Sequence, residues 1–284
     1  MTTVAGRAPG PSGTVGAVIR DAPIVTNSLT RRYGSITAAN SIDLEVGSGE
    51  IFGLLGPNGA GKTTTIKMLI TLLPPTSGTA RVAGADIVRE PGLVRRRIGY
   101  VPQLVSADGS LTGRENLRLS ARLYHIHAAS REDAIEDELA FMGLADVADR
   151  MVRTYSGGMV RRLELAQAML HRPVVLFLDE PTVGLDPTAR AAVWERVRRL
   201  RDRDETTILL TTHYMDEADE LCDRIGMMHA GRLAAIGTPT ELKDNIGPGA
   251  TLDDVFADVG GAGLEIGGTF RDVSRTRRTA KRLG

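Results

Sequence analysis

Gly56-Pro57-Asn58-Gly59-Ala60-Gly61-Lys62-Thr63-Thr64 decides the reading of this chain. The stretch fits G-x-x-x-x-G-K-[ST], the phosphate-binding P-loop. Each residue type answers a chemical need. A triphosphate crowds several negative charges together, so the backbone must wrap it and present N–H groups. Glycine permits that approach because it has no Cβ and adopts positive φ at little cost. The loop should run into a helix N-terminus, where unpaired N–H groups and the helix dipole favour an anion. Lys62 adds a mobile positive charge, and the Thr63 hydroxyl is placed to ligate Mg²⁺.

The flanks agree. Ile51-Phe52-Gly53-Leu54-Leu55 predicts a buried strand entering the loop, and Thr64 to Leu72 predicts the helix leaving it. Further along, Val174-Val175-Leu176-Phe177-Leu178 is continuously apolar, as a parallel strand covered on both faces should be. It runs into Asp179-Glu180-Pro181. Asp186-Pro187 predicts a helix start with Asp at the N-cap and Pro first. Thr207-Ile208-Leu209-Leu210-Thr211 predicts the next buried strand, ending at Thr212-His213. Strands and helices alternating around a P-loop predict an α/β fold, a mostly parallel sheet with helices on both faces.

Other segments predict additions to that core. Ile24-Val25, the alternating residues 41–46 and residues 79–84 predict a small antiparallel sheet. Ile98-Gly99-Tyr100-Val101-Pro102-Gln103 predicts a strand ending in a loop. A helical region follows. Thr112-Gly113-Arg114-Glu115 is a capping box, with Leu117, Ala121 and Tyr124 on one apolar face. A second helix is expected from Ser130, with Ile135, Leu139 and Met142 on its face and Gly143 as its stop. His125 and His127 between these helices have no partners at metal spacing and read as surface residues. Thr238-Pro239-Thr240-Glu241 is another capping box, and Thr251-Leu252-Asp253-Asp254 starts a last short helix. The expected division is a disordered tail over residues 1–22, a P-loop domain over 23–260 with a helical subdomain at about 104–160, and a basic tail over 261–284. That last tail carries Arg271, Arg275, Arg277, Arg278, Lys281 and Arg282, as either a solvated segment or a contact for an anionic surface.

Composition narrows the class. Lys+Arg and Asp+Glu number 35 each in 284 residues, so zero formal net charge gives no reason to expect a nucleic-acid partner. One cysteine, Cys222, excludes an internal disulfide and suits a reducing compartment. No apolar run approaches the roughly 20 residues that span a bilayer. A membrane role would therefore need a second chain to supply the membrane part.

Hydrolysis of ATP needs Mg²⁺ beside the β- and γ-phosphates, a water in line, and a base for that water. Asp179, ending a buried strand, can support the metal, and Glu180 beside it is the candidate base. Tyr155-Ser156-Gly157-Gly158-Met159 supplies a second anion-binding turn opening a helix. With Tyr33, residues 56–63, Gln103, Ser156-Gly157-Gly158, Asp179-Glu180, Gly184-Leu185-Asp186 and His213 in this order, the chain resembles the ATP-binding cassette family. The resemblance covers residues from about Ile24 to Phe256. Leu111-Thr112-Gly113-Arg114-Glu115-Asn116-Leu117 and the stretch Thr212-His213-Tyr214-Met215-Asp216-Glu217-Ala218-Asp219-Glu220 resemble the daunorubicin-resistance type of subunit, which serves drug, lipid and polysaccharide exporters.

What the resemblance implies is specific. Tyr33 would stack on adenine. Gly56, Pro57, Asn58, Gly59, Ala60, Gly61, Lys62, Thr63 and Thr64 would hold the phosphates of ATP and its Mg²⁺, with Gln103 and Asp179 also at the metal. Gln103 would also reach the attacking water, beside the contact with a membrane subunit. Glu180 would polarise that water, and His213 would hold the γ-phosphate. Asp186 would lie at a dimer seam, with Ser156, Gly157 and Gly158 acting in trans on the partner's nucleotide. The expected assembly is a head-to-tail homodimer bound to a polytopic membrane permease, on the cytoplasmic face of the membrane. Tyr155 and Met159 depart from the family's usual Leu and Gln, while the Ser-Gly-Gly core is intact. The alternative is a soluble cassette ATPase in translation or DNA maintenance. Those usually carry two cassettes or a long coiled-coil insertion, and the interval from Gln103 to Ser156 is too short for a coiled coil.

Overall fold

In the computed structural model the described residues are 22–261. The expectations for an N-terminal tail and a basic C-terminal tail lie outside them. The strands, in chain order, are β1 (Ile24–Tyr33), β2 (Ile36–Val46), β3 (Ile51–Leu55), β4 (Ser77–Val82), β5 (Ala85–Asp86), β6 (Ile98–Val101), β7 (Val175–Asp179), β8 (Thr207–Thr212), β9 (Arg224–His229) and β10 (Arg232–Gly237). The helices are α1 (Lys62–Leu69), α2 (Pro91–Arg97), α3 (Gly113–Leu123), α4 (Ala128–Phe141), α5 (Gly157–Met169), α6 (Pro187–Asp204), α7 (Met215–Leu221), α8 (Pro239–Asp244) and α9 (Leu252–Gly261).

Strand side chains alternate between faces, so a strand covered on both sides must be apolar throughout. β3 shows the consequence. Ile51 and Leu55 join a core with α3, α4, α5, α6 and α7. Phe52 and Leu54 join a second core with α1, α2 and the small sheet. β7 divides the same way, Leu176 and Leu178 to the first core and Val175 and Phe177 to the second. The large sheet has six strands in the order β10-β9-β3-β8-β7-β6. β6, β7, β8, β3 and β9 run parallel, and β10 pairs antiparallel at the edge. The small sheet, β2-β1-β4-β5, is antiparallel throughout. The expected α/β architecture with a small antiparallel sheet is observed.

Several boundaries differ from expectation. α1 starts at Lys62 rather than Thr64, and Thr71 turns to φ +64° beyond its end. α4 starts at Ala128, two residues before Ser130, because the His127 ring accepts the Ala129 N–H at 3.4 Å and serves as its cap. Tyr124 closes α3 and stacks on His171 with ring centroids 3.7 Å apart. Val174 precedes β7 and is exposed, its N–H bonded to the Arg97 carbonyl. Both capping boxes, at Thr112 and Thr238, form with reciprocal hydrogen bonds.

Candidate functional site

The site lies at the C-terminal ends of β3, β6, β7 and β8, where an open parallel sheet leaves a crevice for ligands. β3 delivers the P-loop. Its path is held from behind, because the Gly56 N–H reaches Thr212 O at 3.3 Å and Ala60 O accepts from the Gly231 N–H at 3.1 Å. Gly61 has φ +103°, and a Cβ there would lie 2.3 Å from Ala38 O, so only glycine fits. Gly61 is the N-cap of α1 and gives it no side-chain cap. The first N–H groups of α1 are free to face an anion.

Lys62 is buried and folds over the loop, donating to Gly56 O at 2.7 Å and Pro57 O at 3.1 Å. Its Nζ also lies 3.4 Å from Glu180 Oε1. Burial pulls its pKa below the ordinary lysine value, and Glu180, then Asp179, pull it back up. Tyr100 on β6 shows the same surroundings, its hydroxyl pushed up to about 12 by burial and then by Asp179.

β7 ends in the two carboxylates. Asp179 Oδ1 accepts from Thr63 Oγ1 at 3.1 Å and from Thr211 Oγ1 at 2.6 Å. Glu180 is buried and has φ +50°, an unusual backbone for a residue with a Cβ. Such a conformation costs about 1–3 kcal/mol and persists only where its surroundings hold it. Here Thr211 does so, accepting the Glu180 N–H on Oγ1 at 3.0 Å and on its carbonyl at 3.1 Å. Glu180 Oε2 accepts from Gln103 Nε2 at 3.1 Å. His213 Nδ1 lies 3.3 Å from Glu180 Oε1 without alignment for a hydrogen bond.

Lys62, Thr63, Gln103, Asp179, Glu180 and His213 are therefore brought together. Among the described residues, Ser156, Gly157 and Gly158 make no hydrogen bond to that cluster. They open α5, with Ser156 Oγ accepting the Met159 N–H at 3.3 Å. A Cβ at Gly158 would stand 3.0 Å from Ala189 Cβ on α6, so this turn packs on the helix that Asp186 caps. Asp186 accepts the Ala189 N–H at 2.9 Å. Tyr33 ends β1, half exposed, with the Arg31 guanidinium 4.7 Å from its ring centroid. Tyr155, the departure in the signature turn, donates its hydroxyl to Val147 O at 2.7 Å.

The donors suit Mg²⁺. Thr63 and Asp179 offer hard oxygens side by side, and among the described residues no cluster of His, Cys, Asp and Glu could bind a metal unaided. A site with one carboxylate, one hydroxyl and the rest from phosphate and water is what Mg²⁺ uses. Thr211 was missed in the sequence, where it reads as another strand residue; a threonine ending an apolar run was the available signal.

The ABC transporter family profile matches residues 39–183, the P-loop and the Asp179-Glu180 pair included. The chain belongs to the ABC transporter family. It is 50% identical over 224 residues, 79% of this chain and 68% of the other, to the daunorubicin/doxorubicin resistance ATP-binding protein DrrA of Streptomyces peucetius. It is 45% identical over 222 residues, 78% of this chain and 73% of the other, to Nod factor export ATP-binding protein I of Paraburkholderia xenovorans (strain LB400). A solved ATP-binding subunit of an ABC transporter superposes with a TM-score of 0.74 at 31% identity, covering 84% of this chain and 99% of that one. This ABC subunit binds and hydrolyses ATP, as an ATPase of the exporter type. The alternative of a soluble cassette in translation or DNA maintenance is not favoured by these relatives. No helix among the described residues is long and apolar enough to cross a membrane.

Proposed function

We propose that this subunit powers export through a separate membrane permease, at the cytoplasmic membrane face, as a head-to-tail homodimer. The cargo is of drug, lipid or polysaccharide type and is chosen by the permease. One observation carries the catalytic assignment. Glu180 is buried in a strained backbone position at a strand end, with Gln103, Lys62 and His213 converging on its carboxylate. A base held this way contributes typically 10²–10⁴-fold.

Glu180 takes the proton of the attacking water. Gln103 orients that water and the carboxylate. Lys62 leaves its carbonyl contacts for the terminal phosphates, and His213 turns its ring toward the γ-phosphate. Thr63 and Asp179 would hold Mg²⁺, which when bound would neutralise phosphate charge. Tyr33 would receive the adenine on the ring face opposite Arg31. Residues 156–158 stand apart from their own P-loop cluster, which supports their use on a partner's nucleotide. ATP then joins the two copies, and its cleavage loosens them.

The permease contact is supported by apolar surface near Gln103. Leu104 and Val105 follow it at 81% and 65% exposure. Two adjacent exposed apolar side chains beside Gln103 support a partner contact there. Glu180→Gln keeps the shape of the site and removes the base. The variant should bind Mg-ATP, stop hydrolysis and accumulate as a dimer in sedimentation; a monomer at saturating ATP would overturn the mechanism.

A further inference from the structure

The loop carrying Gln103 is fastened to α5 by a buried ion pair that lies outside every motif above. Arg161 and Glu164 stand one turn apart on α5, with 5% and 2% of their surface exposed. Arg161 Nη1 donates to Glu164 Oε2 at 2.9 Å and to Pro102 O at 2.8 Å. Its Nη2 donates to Gln103 O at 3.2 Å. Glu164 Oε1 accepts from the Ser106 N–H at 2.5 Å and from Ser106 Oγ at 2.9 Å. The two side chains thus hold both ends of residues 102–106, including the carbonyl of Gln103 itself.

Stability alone does not call for such a pair. Burying two charges carries a desolvation penalty that their attraction often only matches, and apolar residues of similar size would do as well. What the pair adds is direction. A planar guanidinium fork fixes two carbonyls at once in a way a flexible side chain cannot. Glu164 spends its second oxygen on the far end of the same loop.

We propose that Arg161 and Glu164 are positioning residues for hydrolysis. They lock the Gln103 loop onto α5, so that Gln103 and the Ser156-Gly157-Gly158 turn at the start of the same helix move as one unit. The proposal rests on the role given above to Gln103. Neither side chain hydrogen-bonds to the P-loop, Asp179, Glu180 or His213. Their effect therefore passes through where Gln103 Nε2 meets Glu180 Oε2, now 3.1 Å apart. Misplacing such a contact by about 1 Å lowers turnover about 10²-fold.

The test uses the full chain and measures kcat, KM, equilibrium binding of a fluorescent ATP analogue, and Tm. The variants are Arg161→Lys, Glu164→Gln, Gln103→Ala, the Arg161→Lys/Gln103→Ala double, and Leu139→Ala. The last opens a cavity in the core packed around α4 and controls for loosening alone. The expected result is a kcat roughly 10- to 100-fold down in both clamp variants, with nucleotide binding within about threefold, since Tyr33 and the P-loop are untouched. The double should lose little beyond Gln103→Ala, because residues acting as a unit are not additive. The clamp is overturned if Arg161→Lys and Glu164→Gln keep wild-type kcat while Gln103→Ala does not. An additive double, or an equal kcat loss in Leu139→Ala at matched Tm, also overturns it. If Gln103→Ala itself keeps wild-type kcat, the role of Gln103 falls and takes the clamp with it.

Discussion

Thr211→Val isolates the hydroxyl that holds both carboxylates in place. Thr211 is fully buried. Its Oγ1 donates to Asp179 Oδ1 at 2.6 Å and accepts the Glu180 N–H at 3.0 Å. Valine has the same shape and neither capacity. Asp179 would keep Thr63 at 3.1 Å, and the Glu180 N–H would keep the Thr211 carbonyl at 3.1 Å. What goes is one arm of the shared Glu180 N–H bond, whose carbonyl arm remains, and one short bond to a carboxylate, of a kind that contributes about 1.5–3 kcal/mol. Taking about 2 kcal/mol, and about 2–4 °C of Tm per kcal/mol for a domain of this size, the melting point should fall by roughly 4–8 °C. Turnover should fall further than stability explains, since Asp179 and the left-handed turn at Glu180 both lose a fixed partner. Half-saturation by Mg²⁺ should rise. Calorimetry without nucleotide and ATPase assays across Mg²⁺ concentrations read both effects. Thr211→Ser keeps the hydroxyl and should stay near wild type in both. A valine variant melting within about 1 °C of wild type with normal Mg²⁺ dependence would refute the reasoning, as would a serine variant equally impaired.

Two further predictions follow from side chains outside the P-loop. Tyr155→Phe removes the hydroxyl bonded to Val147 O at 2.7 Å and should cost about 0.5–1.5 kcal/mol in denaturant melts, with the ATPase rate retained because the Ser-Gly-Gly backbone is unchanged. His171 is held below its ordinary value of 6.5 by burial, partly opposed by its bond to Ile98 O. Because Ile98 O only accepts, Nε2 at 2.9 Å carries a proton, and burial favours the neutral ring in the folded chain. Between the depressed value and 6.5 the unfolded chain binds more protons than the folded one, so stability rises with pH across that window and levels off above it. Urea midpoints from pH 5 to 8 should show this slope in wild type and a flatter one in His171→Gln; identical slopes would sink the assignment.

What could be read along the chain was whatever a few consecutive residues specify. The P-loop, the capping boxes at Thr112 and Thr238, and Asp186 with Pro187 all formed as expected, because each is a local arrangement of backbone donors and their acceptors. α4 shows the limit of that logic. Ser130 is the better cap by preference, yet Ala128 and Ala129 extend the helix at little cost and the His127 ring takes the free N–H. Strand order is a different kind of information. β3 lies between β8 and β9, its neighbours from the far half of the sequence, and nothing within five apolar residues names them.

The same limit separates the residues proposed for the chemistry from those that hold them. Lys62, Asp179 and Glu180 are candidates from the sequence because reactive groups need particular residue types at particular positions, and His213 is one through the family resemblance. Thr211, Arg161 and Glu164 are not, because what makes them matter is the partner each meets after folding. Thr211 acts on its neighbouring strand through the β7–β8 register, which pairs it with Asp179. Arg161 and Glu164 act on a loop some 58 residues away in sequence. Loss of catalysis from residues of this second kind should therefore track contacts across elements rather than motif membership, and the clamp and Thr211 variants test that on opposite sides of Glu180: one through its Gln103 contact, the other through its backbone.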